Sequence, residues 1–106
     1  MVLDVLVFIL TNKGKEKRAG EVLEWLIGEV KEKEPDMHSY HVYTTHDHEK
    51  GTLDYVAYLR IKDETILAQR PNLGHHHEVA KIIKEEDLLR EPLKYLRLED
   101  YGGWDR

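Results

Sequence analysis

Three consecutive histidines, His75, His76 and His77, lie in the second half of the chain. Histidine is the side chain whose ordinary pKa suits proton transfer near neutral pH. The run is internal, so it is not a terminal purification tag. Helical spacing separates its members. His75 precedes Val79 by four residues, Ile82 by seven and Ile83 by eight, and His76 precedes Ile83 by seven. Both therefore fall on or near the apolar side of a helix. His77 precedes Lys81 by four and Lys84 by seven, which turns it to solvent. At the rim of an apolar pocket, His75 or His76 would take a proton from an acidic phenol or an enolisable carbon, so these two are the candidate catalytic acid/base. The competing reading is that they cap the helix start or bridge two subunits as satisfied polar groups.

The anion left behind needs donors. Tyr58 and Arg60 are the candidate catalytic partners for it, with Tyr43 as a further polarising group. Asp4, Phe8, His41 and Tyr43 make up the candidate substrate-binding set. Asp4 interrupts an otherwise apolar strand face, where it would orient a histidine, act as a base with a raised pKa or pair with a nearby basic side chain. His46 and His48, with His38 and His41 nearby, could form a metal site. A polar hairpin tip gives the same letters, and no standard ligand spacing is present, so no metal is expected. The chain has no G-x-G-x-x-G, no P-loop and no G-x-S-x-G. Nucleotide use and serine-hydrolase chemistry have no support, and no cofactor is expected.

These side chains need elements to hold them. Val2 to Leu10 is aliphatic and β-branched and reads as a strand, ended by the turn signal Asn12 to Gly14. From Lys15 to Glu34, Ala19, Val22, Leu23, Leu26, Ile27 and Val30 form one helical stripe, and Pro35 ends the helix. "MHSYHVYTTH" and "LDYVAYLRI" are strands joined by the loop "DHEKGT". "KDETILAQR" is a short helix broken by Pro71. Asn72 is the expected N-cap of the helix "LGHHHEVAKIIKE". "PLKYLRL" is the last strand, and residues 99–106 are a polar tail. The order β-α-β-β-α-β predicts a four-stranded antiparallel sheet with its helices on one face, in a single domain over residues 1–106.

The first strand is apolar on both faces, which predicts burial on both. Leu3, Val5, Val7 and Ile9 would meet the helices. Leu53, Tyr55, Ala57, Leu59 and Ile61 form the matching set of the third strand, and Asp54, Val56, Tyr58 and Arg60 face the other way. The pattern leaves open which side of the second strand faces out. A second copy of the sheet would close the uncovered face, so a homodimer is expected.

Bulk composition narrows the function classes. The chain has 106 residues, 41% hydrophobic and 35% charged, with a formal net charge of -5. That is a globular composition without a concentrated basic face, so no nucleic-acid partner is expected. No apolar run is long enough to cross a bilayer. The first strand lacks the basic leader and cleavage site of a signal peptide. There are no cysteines, which excludes disulfides and thiolate chemistry, and a cytoplasmic protein is expected.

The element order, the two-sided first strand and the His75-x-x-x-Val79 spacing at the second long helix resemble the antibiotic-biosynthesis-monooxygenase-like family, from about Val2 to Leu98. That resemblance implies a dimeric α+β barrel of ferredoxin-like units. It also implies a cofactor-independent enzyme, a monooxygenase first, acting on a small aromatic or polyketide-like molecule. A polyketide cyclase, decarboxylase or dehydratase, or a non-catalytic ligand-binding dimer, are the alternatives on the same scaffold. The family often has Glu-x-Trp in the third strand, where this chain has Leu59 and Ile61. It also has a histidine at or near the position of Arg70. His75 or its neighbour stands where the second family histidine is found.

Overall fold

The computed structural model describes residues 2–47 and 52–106, with the side chains of Asp47 and Thr52 left out of the description. Strand β1 (Leu3–Ile9) leads into helix α1 (Glu16–Lys33). Strands β2 (Met37–Asp47) and β3 (Thr52–Ile61) follow. The centre of the expected hairpin loop, residues 48–51, lies outside the described residues. Helix α2 (Glu64–Gln69) passes through a 3-10 turn (Arg70–Asn72) into helix α3 (Gly74–Glu86), and strand β4 (Lys94–Leu98) closes the sheet. The sheet order is β2-β3-β1-β4, with every neighbouring pair antiparallel. This is the expected ferredoxin-like α+β fold.

Side-chain alternation divides the sheet into two faces. Leu3, Val5, Val7 and Ile9 of β1 and Tyr55, Ala57, Leu59 and Ile61 of β3 are buried under the helices. The register settles the open question about β2. Tyr40 pairs with Leu59 and Val42 with Ala57, so both face the helices. His41 opposite Tyr58 and Tyr43 opposite Val56 face away. The stripe of α1 buries Ala19, Val22, Leu23, Leu26 and Val30. Ile27, expected in that stripe, is exposed.

The start of α3 corrects one expectation. Asn72 does not cap it. Asn72 belongs to the 3-10 turn, closed by Leu73 N–H donating to the Arg70 carbonyl at 3.0 Å. The turn leaves Leu73 extended, and the helix begins at Gly74. The main-chain N–H groups of His76 and His77 both donate to the Leu73 carbonyl.

Asp54 ties the sheet to the segment before β4. It accepts the Thr11 N–H at 2.9 Å and both terminal nitrogens of Arg90, at 2.7 and 2.8 Å. The next residue of β3, Tyr55, points to the helix side and donates from its hydroxyl to the Glu16 carbonyl at 3.0 Å. A Cβ added at Gly20 would lie 2.6 Å from that hydroxyl oxygen.

Two opposing effects therefore meet at Gly20. Alanine is the better helix former by about 1 kcal/mol, whereas overpacking costs about 1–3 kcal/mol. Gly20→Ala is expected to destabilise the protein, and to stabilise it when Tyr55→Phe has removed the obstructing oxygen. Urea denaturation of the two single variants and the double variant measures the reversal.

Candidate active site

Glu34 caps the C-terminus of α1, four residues past Val30 and on the same buried stripe. A carboxylate there must be paired to remain ionised. Arg70, from the 3-10 turn, donates from Nε to Glu34 Oε1 at 2.6 Å and from Nη2 to Oε2 at 3.3 Å. His75 Nε2 sits 2.6 Å from Oε2. His76 Nε2 stands 3.5 Å from the same oxygen, an ion-pair distance too long for a strong hydrogen bond. The Glu34 and His75 side chains are each 3% exposed, Arg70 7% and His76 20%. One carboxylate thus gathers three side chains from residues 70–76, a stretch distant from it in sequence. Burial by itself would raise the Glu34 carboxyl. His76, Arg70 and His75 pull it the other way, and it ends well below the ordinary carboxylate range.

The two histidines are not equivalent. His75 is sealed against Glu34. His76 borders an apolar chamber of about 70 Å³ between sheet and helices, whose walls include Val7, Leu23, Leu59, Val79 and Ile83. Its Nε2 is buried and has no hydrogen-bond partner among the described residues. Tyr40, Arg70 and Tyr95 also line this chamber. Burial pushes the Tyr40 phenol up to about 12, so it stays a donor at any working pH. The Arg70 guanidinium carbon lies 6.0 Å from the Tyr40 ring centre. Arg70, His76 and Tyr95 also line an adjoining mouth of about 340 Å³, where Arg97, Pro71 and Leu67 join them.

The expectation of one pocket combining these histidines with Tyr58, Arg60, Asp4, Phe8, His41 and Tyr43 is corrected: those six side chains lie on the opposite face of the sheet. The reason is the two-residue period of a strand, which sends Asp4 and Phe8 away from the helices, together with Tyr58, Arg60 and their β2 neighbours His41 and Tyr43. There Tyr58 donates to Asp4 Oδ1 at 2.6 Å, and Arg60 Nε lies 3.7 Å from the same oxygen. The Asp4 hydrogen bond raises the Tyr58 pKa. Within one chain this cluster cannot reach a ligand held at His76. His75 and His76 do turn inward as the spacing predicts, and His77 is exposed.

The sequence reading did not single out Glu34, Tyr40 or Tyr95. Glu34 carried a signal, because it continues the apolar stripe of α1. Tyr40 and Tyr95 carried none, since their meeting depends on strand register. Near the hairpin, His41 and His46 lie on opposite faces, paired with Tyr58 and Leu53, so they do not converge on a metal. His48 lies outside the described residues. The three atoms best placed for a cation are those of Glu34, His75 and His76, all within 4.8 Å of one another. A dication there would lie beside the Arg70 guanidinium, with one carboxylate to balance both, which favours the ion-pair network over a metal centre.

No family model matches the chain, and no curated protein matches it by sequence. Solved structures do. Rv0793 of Mycobacterium tuberculosis is similar with a TM-score of 0.76 and 16% identity, covering 99% of this chain and 100% of that one. PA3566 of Pseudomonas aeruginosa gives 0.76 and 18%, covering 95% of each chain. A protein provisionally named an antibiotic biosynthesis monooxygenase, from Caulobacter crescentus, gives 0.78 and 15%, covering 95% of this chain and 91% of that one. The chain has the ferredoxin-like α+β fold of the antibiotic-biosynthesis-monooxygenase-like proteins, over nearly its whole length. Among the described residues no helix is long and apolar enough to cross a membrane.

Glu34 contributes stability as an anion. That contribution is present above the ordinary glutamate value of 4.5 and is lost as pH falls below it toward the depressed folded value. Glu34→Gln is expected to cost about 3–5 kcal/mol at neutral pH, because it leaves the buried Arg70 charge unpaired. The variant should then lose less stability on acidification than the parent. Asp54 and Glu86, which Arg90 and Arg18 hold below their ordinary values by hydrogen bonding, supply what acid sensitivity remains. Denaturation curves at neutral pH and at about pH 3.5 test the sign.

Proposed function

We propose that this protein is a homodimeric, cofactor-independent enzyme acting on a small aromatic or polyketide-like molecule, as a monooxygenase with His76 as acid/base. The observation that carries the reading is the unpartnered Nε2 of His76, buried beside the Glu34 carboxylate at the edge of an apolar chamber. His76 would accept the proton of an activated methylene, and Glu34 would stabilise the imidazolium that forms. Tyr40 and Arg70 would hold the resulting enolate oxygen, the role the sequence reading assigned to Tyr58 and Arg60. The electron-rich carbon would reduce dioxygen from solution and bond to it. The hydroperoxide would then lose water to leave a carbonyl. One oxygen atom ends in product and the other in water, and the methylene, oxidised to a carbonyl by loss of both its hydrogens, supplies all four electrons that dioxygen takes up.

The dimer rests on the sheet face away from the helices. Leu96 and Leu98 are 39% and 40% exposed there, beside the half-buried Leu6, Phe8 and Val56. A contiguous apolar face of this kind is costly in water, and a second copy covers it with the same residues. On this arrangement Asp4, Tyr58 and Arg60 belong to the subunit interface.

Anthrone, an aromatic with one acidic methylene, is a suitable first substrate. His76→Ala should lower turnover by at least about a hundredfold, with the folded state retained and His77→Ala unaffected. Full turnover in His76→Ala would overturn the acid/base assignment, and product formation without oxygen consumption would exclude the monooxygenase reading. Native mass spectrometry should give a dimer, converted to monomer by Leu96→Asp; a monomeric parent protein would overturn the dimer.

A further inference from the structure

The polar groups around the chamber differ from its walls in a way that specifies the ligand further. Among the described residues, the permanently charged side chains that line the chamber or the mouth are both arginines: Arg70 at their junction and Arg97 at the outer rim. Their carboxylate partners, Glu34 and Glu64, line neither space. Strand register explains Arg97. It pairs with Val5, a helix-facing position, so β4 turns this arginine toward the mouth while Leu96 and Leu98 face away. Arg97 is held by Glu64, but both side chains are well exposed, at 47% and 68%. An exposed pair of that kind contributes little and gives way readily to a better anion. Arg70 is different, since it is sealed against Glu34 and adds a fixed positive group beside His76 and the protonated Tyr40.

Size points the same way. The inner chamber, about 70 Å³, holds only an apolar end, and the mouth of about 340 Å³ holds the remainder. Small-molecule sites usually need about 300 Å³ or more, so the ligand must extend outward past Arg70 and toward Arg97. We infer that the ligand is an apolar, ring-containing body bearing a standing anionic group, a carboxylate or equivalent oxyanion, seated between Arg70 and Arg97 at the mouth. Arginine suits such a group because its planar donors match both carboxylate oxygens. The inference rests on the proposed pocket and adds the charge of what enters it.

The test compares two probes of nearly the same shape, 2-naphthoate and its uncharged amide 2-naphthamide, by calorimetric titration of the whole protein. Naphthoate should bind at least about tenfold more tightly, and the margin should shrink as salt rises. Arg97→Gln should remove most of the preference. Glu64→Gln, which frees Arg97, should strengthen naphthoate binding. Glu64→Gln should leave naphthamide affinity unchanged, and Arg97→Gln should lower it far less than it lowers naphthoate affinity. Equal affinity for the two probes would overturn the anionic assignment and leave the pocket standing, as would naphthoate binding indifferent to both variants. Binding of neither probe would overturn the pocket as well. Loss of the acid/base reading has a separate signature: His76→Ala would keep both its turnover and its preference for naphthoate.

Discussion

A carboxylate buried at the end of a helix stays ionised only if charge and hydrogen-bond donors are brought to it. Glu34 is in that position, and the local structure is arranged around meeting its demand. Arg70 reaches it from the 3-10 turn, and His75 and His76 reach it from the first turn of α3. These contacts tie the C-terminus of α1 to the α2–α3 connection. The tie is unforgiving, because each partner removed leaves another buried group unsatisfied. It also explains why Pro71 is tolerated between two helices. The 3-10 turn that contains it is what aims Arg70 at Glu34.

The same network divides the work of two adjacent histidines. His75 is consumed as a donor set against the carboxylate. His76 is left with a buried nitrogen, a nearby anion and an apolar chamber in front of it. Neighbouring residues on a helix point about a hundred degrees apart, so a run of three can contribute one anchor, one reactive group and one solvated side chain. The sheet forms the second partition. It keeps the Asp4–Tyr58–Arg60 cluster on the far side, where it faces whatever covers that surface and not the chamber.

The fold is shared with solved proteins at 15–18% identity, and identity that low leaves room for the polar equipment to differ. Leu59 and Ile61 stand where the family resembled often has Glu and Trp, and here they are 1% and 0% exposed. Those positions serve as sealed core. Arg70 stands near a family histidine and brings permanent charge in its place. The polar side of this chamber therefore comes from the 3-10 turn, the first turn of α3 and the two tyrosines of β2 and β4. The shared feature is the scaffold, and this chain's chemistry has to be argued from its own residues.

From the sequence alone, hydrophobic periodicity determined the element order, the two-faced sheet, the helical stripe of α1 and the inward turn of His75 and His76. These features follow from repeats of two and of 3.6 residues, which are local properties of the chain. Glu34 was half legible, as a charge on an apolar stripe whose partner could not be named. Only the tertiary structure decided that its partners are Arg70 and the two histidines, and that Tyr40 and Tyr95 meet at the same chamber. It alone also put His41 and Tyr43 on the far sheet face with Tyr58 and Arg60. Alternation shows that residues share a strand face. It does not show which face lies under the helices for β2, nor which distant segments arrive there, because both depend on how strands pair and helices dock across the whole chain.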